Sequence, residues 1–332
     1  MKSNVVVTGG SGFIGSHLTE LLLAKGYKVN VIDNFSGSNQ SNLSSFINNE
    51  NLQIWNEDIR KLVPGHSAFK NAKYVFHLAG IGDIVPSIEK PLEYMSVNVM
   101  GTVNVLECCR YVNIEKLVYA SSSSCYGIAS TPTSETHKIN PLYPYAISKY
   151  QGEQACFHWN KVYGLPTNSI CIFNAYGPRV RTTGAYGAVF GVFFKQKLSN
   201  KPLTIVGDGL QSRDFVYVTD VADGFYKAAG TKSNGERFNL GAGNPQKIKY
   251  LAELIGGETI SLPKRPGEPN CTYADISKIK EQLLWNPQKK FEDGVSEMLK
   301  EIEYWKDAPL WDVDGISKAT ETWFKYMDKE KK

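Results

Sequence analysis

Asn4-Val-Val-Val-Thr8 runs straight into Gly9-Gly-Ser-Gly12-Phe-Ile-Gly15, and this stretch decides the fold. The β-branched run reads as a strand. The pattern from Phe13 to Lys25, ended by Gly26, reads as a helix. Gly9, Gly12 and Gly15 allow a tight turn, close approach of a pyrophosphate and close packing of helix on sheet, so the helix N-terminus, with Phe13 and Ile14 in its first turn, faces an anion. Lys28 to Ile32 supplies a second strand closing at Asp33, which completes a βαβ unit with a right-handed crossover. An acid at that position accepts hydrogen bonds from ribose hydroxyls and repels a 2′-phosphate, which favours NAD over NADP as cofactor.

Outward from this unit, Leu52 to Trp55, Ala72 to His77, Lys116 to Ser121 and Thr167 to Phe173 read as further strands. The helical patterns Pro91 to Val112 and Tyr143 to Tyr163 lie between the later ones. Such alternation predicts an α/β fold, a doubly wound Rossmann-type parallel sheet covered on both faces. After about residue 175 the pattern changes to Gly- and Pro-rich turns, the segment Leu203 to Asp208, and short helices at Tyr186 to Leu198 and Asp275 to Leu284. The expected division is residues 1–175 as the dinucleotide-binding domain and 176–332 mainly as a smaller α/β substrate lobe, with some segments returning to the first. Ser36 to Asn49, rich in Ser and Asn, reads as a surface connection. Ile316 to Met327 reads as an amphipathic helix docked on the body of the protein.

With 332 residues, 42% hydrophobic and 21% charged, the chain is neither disordered nor fibrous and can bury a sizeable core. Its net charge of +4 is spread along the sequence rather than gathered into a basic face, which argues against nucleic acid as a partner. The six cysteines (108, 109, 125, 156, 171 and 271) form no C-x-x-C pair and no zinc spacing, so no metal is expected and the thiols read as reduced in a cytoplasmic protein. No targeting signal is visible at the N-terminus, and every apolar run stops short of the roughly 18 residues that span a bilayer. A soluble protein without a membrane partner is expected.

Tyr145 and Lys149, four apart on a helical pattern, share one face. A neighbouring ammonium favours the phenolate and brings the phenol towards use as a base. Upstream, the strand from Lys116 ends in Ser121-Ser122-Ser123-Ser124-Cys125-Tyr126-Gly127, which puts hydroxyls at the carboxyl edge of a parallel sheet, where such sheets bind ligands.

These features occur together with His77-Leu78-Ala79-Gly80, Asn174-Ala-Tyr176-Gly177-Pro178, Gly207-Asp-Gly209 leading to Arg213-Asp214-Phe215, Arg265-Pro-Gly-Glu268 and Ala274-Asp275. In this order and spacing the chain resembles the extended short-chain dehydrogenase/reductases, and within them the sugar-nucleotide epimerase/dehydratase family, over essentially its whole length. The resemblance implies that Tyr145 takes the sugar hydroxyl proton, that Ser122 binds the same oxygen, and that Lys149 holds the nicotinamide ribose and depresses the Tyr145 pKa. It implies a cofactor site that includes Asn34, Asp58, Ile59, Leu78, Ala79 and Gly80. It places Ser123, Ser124, Asn174, Arg213, Arg265 and Glu268 at a nucleotide diphosphate sugar, with UDP favoured as the nucleotide. The helices Pro91 to Val112 and Tyr143 to Tyr163 resemble those that form a dimer interface in the family, so a homodimer is expected.

Dehydratases of the family carry a Thr-Asp-Glu triplet where Ser122-Ser123-Ser124 stands here, and serine has no carboxyl acid to offer. The decarboxylating relatives carry a Glu at the place of Ser124. Carbon 4 epimerisation is therefore the expected reaction, with the 4,6-dehydratase and the UDP-glucuronate 4-epimerase as alternatives and a non-catalytic NAD-binding regulator as the reading of a different class. Thr272 resembles the family's gate beside the sugar carbon 2 substituent and is small enough for an N-acetyl group, which favours UDP-N-acetylglucosamine and UDP-N-acetylgalactosamine. Two departures stand out. Cys171 occupies a place where an arginine is usual, and Asp83 brings a carboxylate to the loop that faces the sugar, to select a cationic or hydroxyl-rich sugar, to donate a proton, or to cap the loop.

Overall fold

The computed structural model describes residues 2–183 and 189–327. In chain order the elements are β1 (Asn4–Thr8), α1 (Phe13–Ala24), β2 (Lys28–Asp33), β3 (Leu52–Asn56), β4 (Ala72–His77), α2 (Ile84–Glu89), α3 (Pro91–Met95), a π turn (Ser96–Met100), α4 (Gly101–Val112), β5 (Lys116–Ser122), α5 (Pro144–Tyr163), β6 (Thr167–Ile172) and β7 (Asn174–Tyr176). Then follow α6 (Val189–Leu198), β8 (Leu203–Val206), β9 (Ser212–Arg213), β10 (Phe215–Tyr217), α7 (Val218–Gly230), β11 (Glu236–Leu240), β12 (Gln246–Lys247), α8 (Ile248–Ile255), β13 (Thr259–Leu262), α9 (Ser277–Leu283), α10 (Phe291–Lys300) and α11 (Val313–Met327). The expected helix from Tyr186 is described from Val189 onward, and its first three residues lie outside the described residues.

Seven strands form one parallel sheet in the order β11-β6-β5-β4-β1-β2-β3. This is the expected doubly wound arrangement, and its strand order reverses between β1 and β4, the place where such sheets bind ligands at their carboxyl ends. Two layers of apolar side chains flank it. Leu18 and Leu22 of α1 and Phe225 of α7 fill one side, and Val105, Leu106 and Cys109 of α4 fill the other. A separate cluster, with Phe190, Phe193, Phe215, Phe291 and Trp305, joins α6, β10 and α10. The two-stranded pairs β10–β7, β12–β9 and β13–β8 belong to this later part of the chain.

Ser36 to Asn49 is the expected surface connection, mostly exposed but anchored by two residues. Its 3-10 turn Gln40–Phe46 buries Leu43 fully, and Asn42 donates from Nδ2 to the Ser11 carbonyl at 2.9 Å. Asn42 thereby braces the glycine loop. All six cysteines are free. No described helix is long and apolar enough to cross a membrane.

Candidate active site

The carboxyl end of β1 turns at Gly9, whose φ of +70° suits glycine, and a Cβ there would come within 2.7 Å of the Ala79 amide. A side chain at Gly15 would run into the Gly9 carbonyl. Asp33, buried at the end of β2, accepts from the Ser11 amide (3.0 Å) through Oδ2, and from the Phe35 amide (2.9 Å) and the Ser38 hydroxyl (2.8 Å) through Oδ1. The acid thus shapes the glycine loop as well as facing the cleft. One cavity of about 180 Å³ is lined by Gly9, Gly12, Asp33, Asn34, Asp58, Ile59, Leu78, Ala79 and Gly80. Phe13 and Ile14 do not line it. The Phe13 ring meets His17 edge-on, and Ile14 packs against the core of the sheet. Asp58 caps the short turn Ile59–Lys61, and the fork of hydrogen bonds from Arg60 holds its carboxyl down at about 2.

The floor of this cavity rests on a buried chain of hydrogen bonds. The Thr102 hydroxyl donates to the Asn98 carbonyl (2.7 Å), so it accepts from His77 Nε2 (2.9 Å). His77 Nδ1 then accepts from the Thr8 hydroxyl (2.7 Å), whose oxygen accepts from the Ala79 amide (3.2 Å). Burial, helped by the Lys149 charge, lowers His77 to about 3, so the ring is neutral in this tautomer. Asn98, missed in the sequence reading, sits in the π turn between α3 and α4, where the backbone shift turns its side chain inward. It exchanges hydrogen bonds with both the amide (2.9 Å) and the carbonyl (3.0 Å) of Ile81 and donates to Ser148 Oγ (2.9 Å). An asparagine at a buried position of a helical pattern was the available signal.

Tyr145 opens α5 behind Pro144 and is half-buried, with its phenol beside Ser122 at the end of β5. Burial pushes this phenol up and the Ser122 contact opposes it. Lys149 is buried one turn on, its Nζ 4.5 Å from the centre of the Tyr119 ring, and burial lowers its ammonium to about 8. A Cβ on Gly80 would lie 3.7 Å from that Nζ, so the lysine reaches towards the cofactor cavity. No hydrogen bond among the described residues joins Tyr145 to Lys149, and the ring of Tyr145 meets those of Tyr143 and Tyr94. Tyr143, also missed, lies parallel to Tyr145 with ring centres 6.5 Å apart, its hydroxyl beside Ser124.

Across the cleft, Asn174, Arg213, Arg265 and Glu268 line a second cavity of about 190 Å³. Arg213 is nearly buried, donating to Glu268 (2.7 Å) and to the Pro269 carbonyl (3.0 Å). Arg265 lies 4.0 Å from the same carboxylate. Thr272 donates to Asn174 Oδ1 (2.7 Å) and accepts from the Asp214 amide (3.1 Å). Asp83 stands before α2, but its carboxylate makes no cap. It lies 3.8 Å from Arg181. Burial raises that carboxyl and Arg181 opposes the rise. Among the described residues no group of acidic, histidine or cysteine side chains is placed to hold a metal ion.

A glycine-loop dinucleotide cavity that meets a Ser, Tyr and Lys set at the carboxyl edge of the same sheet defines a dinucleotide-dependent enzyme of the short-chain type. Residues 5–241 match the model of the NAD dependent epimerase/dehydratase family, and the chain belongs to that family. NAD is its cofactor, and the glycine loop and Asp33 fit it. A putative UDP-glucose 4-epimerase of Methanocaldococcus jannaschii is 36% identical, matched over 89% of this chain and 97% of its own. Among solved structures, the UDP-N-acetylglucosamine 4-epimerase of Methanobrevibacter ruminantium in complex with UDP-N-acetylmuramic acid superposes with a TM-score of 0.86 at 33% identity, covering 92% of this chain and 99% of that one. The UDP-glucuronic acid 4-epimerase of Bacillus cereus, in complex with UDP-glucuronic acid and NAD, gives 0.84 at 34% identity, covering 91% and 99%.

Proposed function

We propose that this protein is a nucleotide-sugar 4-epimerase whose substrates are UDP-N-acetylglucosamine and UDP-N-acetylgalactosamine. The observation that carries the reading is the Tyr145 phenol placed beside Ser122, next to a serine run without a carboxylate. Tyr145 takes the proton of the sugar 4-hydroxyl and later returns it, while Ser122 holds that oxygen in place. Bound NAD supplies the hydride acceptor for sugar carbon 4 and, with its positive ring, favours the phenolate. Lys149 adds a positive charge from the cofactor side. The 4-keto sugar must turn over before it is reduced on its other face. Arg213 and Arg265 hold the diphosphate as the pivot, a task suited to guanidinium forks. Thr272, drawn back onto Asn174, leaves room for an N-acetyl group at carbon 2. Residues 1–175 hold the cofactor and the proton-transfer groups, and residues 176–332 mainly hold the nucleotide sugar.

Proton NMR of the NAD-loaded protein with UDP-N-acetylglucosamine in deuterated water tests this, with UDP-glucose and UDP-glucuronate in parallel. The expected result is a new anomeric signal of the 4-epimer without deuterium at carbon 5, fastest with the N-acetylated sugar. A 4-keto-6-deoxy product carrying solvent deuterium at carbon 5 would show elimination instead. Fastest turnover of UDP-glucuronate would move the substrate assignment to the uronate.

The protein acts as a homodimer in this reading. Met100, Tyr111, Val162 and Tyr163 expose large apolar surface around α4 and α5, a patch suited to a second copy. Light scattering on a sizing column is expected to give twice the chain mass, and Tyr111→Asp to shift it towards the monomer. A monomeric wild type at micromolar concentration would count against the dimer.

A further inference from the structure

Helix α11 does not end the fold at a distance from the site. Its Trp323 is buried, and Nε1 donates to the Pro266 carbonyl at 2.7 Å, inside the Arg265–Glu268 loop. The Trp323 ring lies 5.9 Å from the Tyr143 ring, which in turn stacks parallel to Tyr145. One turn on, Met327 packs against Gly267, where an added Cβ would meet its methyl at 3.1 Å. Thr322 donates to Glu89 at the end of α2 (3.1 Å). At the other end, the Trp311 carbonyl, two residues before the helix, accepts from Gln196 of α6 (2.7 Å). The helix is therefore fastened to α6 at its start and to α2 near its end, and it meets the Arg265–Glu268 loop between a tryptophan and a methionine.

We propose that α11 is a strap over the nucleotide-sugar site and that Trp323 is a positioning residue for substrate binding; this rests on the epimerase reading. The Arg265–Glu268 loop lies outside any helix or strand, so its two charged side chains depend on tertiary contacts for their direction. Trp323 supplies one of these at the carbonyl between Arg265 and Gly267. Glu268 receives Arg213 on the far side of the loop. The same indole ring packs on Tyr143. Loss of the indole leaves the Pro266 carbonyl without this buried donor and frees the loop to turn its guanidinium from the cleft.

The test compares Trp323→Phe and Trp323→Ala with wild type as full-length, NAD-loaded protein. Initial-rate kinetics on the better N-acetylated substrate are read together with UDP binding by calorimetry, bound NAD and melting temperature. Trp323→Phe keeps the ring and removes the donor, and is expected to raise KM and the UDP dissociation constant by about fivefold. Trp323→Ala is expected to raise both by tenfold or more, on the order of a lost buried hydrogen bond plus packing. In both variants kcat is expected to stay within about twofold, because the Ser122–Tyr145 contact is untouched. If Trp323→Ala does not fold, Trp323→Phe decides alone. Unchanged KM and UDP affinity in the folded variants, or a fall in kcat that follows the melting temperature with KM unchanged, would overturn the strap while leaving the epimerase reading intact. A wild type that neither binds UDP nor turns over any of the three sugars would overturn the reading and the strap with it.

Discussion

Tyr145→Phe is expected to give a folded, NAD-bound protein that epimerises about a thousandfold or more slower than wild type, within the range for losing a positioned acid–base group. The ring contacts that hold residue 145 in place survive the change. Tyr143 stacks on it and Tyr94 meets it edge-on at 6.4 Å, and neither contact needs the hydroxyl. What disappears is the phenol hydroxyl beside Ser122 at the carboxyl edge of β5. Burial keeps that phenol protonated until charge arrives beside it, so the residue is set to exchange its proton only once the site is filled. The measurement is the initial rate by NMR or by a coupled assay, with NAD content and melting temperature alongside. A Tyr145→Phe variant as active as wild type would sink the mechanism. Absence of turnover in the wild type itself, with NAD bound, would favour the non-catalytic regulator.

Most of the site was legible because its parts lie close in sequence. Gly9, Gly12 and Gly15 must fall at one strand end whatever packs around them, and Tyr145 and Lys149 share a face by helical spacing alone. Asp33 could be read as an acid facing ribose because a strand end fixes where it points, but its bonds to Ser11, Phe35 and Ser38 needed the folded loop. The seventh strand, Glu236–Leu240, was not legible. Glu, Arg and Asn spoil its β pattern, yet Glu236 pairs with Lys278 and Arg237 pairs with Glu153, so partners distant in sequence make its polar groups tolerable inside. Asn98, Tyr143 and Trp323 escaped for the same reason, since each is defined by what lies across the fold. Asp83 was flagged by sequence as either sugar-facing or a cap. Arg181 is what its carboxylate faces, and that contact depends on a loop almost a hundred residues away.

The largest effect on stability is expected at the pair just mentioned. Glu153 is completely buried in α5, four residues beyond Lys149, and accepts from Ser169 of β6 (2.6 Å) as well as from Arg237 of β11 (3.0 Å from Nε). It thereby fastens the helix that carries Tyr145 and Lys149 to two strands of the central sheet. Arg237→Met removes the guanidinium and strands a carboxylate with one hydroxyl donor, which costs about 3–5 kcal/mol in buried pairs of this kind. Equilibrium urea unfolding of the NAD-loaded protein should show the loss as a lower midpoint at nearly unchanged slope. Combining Arg237→Met with Glu153→Leu should recover much of it, because the desolvation of both charges is then removed rather than left half paid. A single variant within about 1 kcal/mol of wild type would mean that water reaches Glu153 and that the helix is held by its apolar face alone. Glu153 also favours the charged form of Lys149. Glu153→Gln with Arg237 retained should therefore lower the lysine further below about 8 and bring the alkaline fall in activity to lower pH. The same buried carboxylate would then hold the catalytic helix in place and keep its lysine charged.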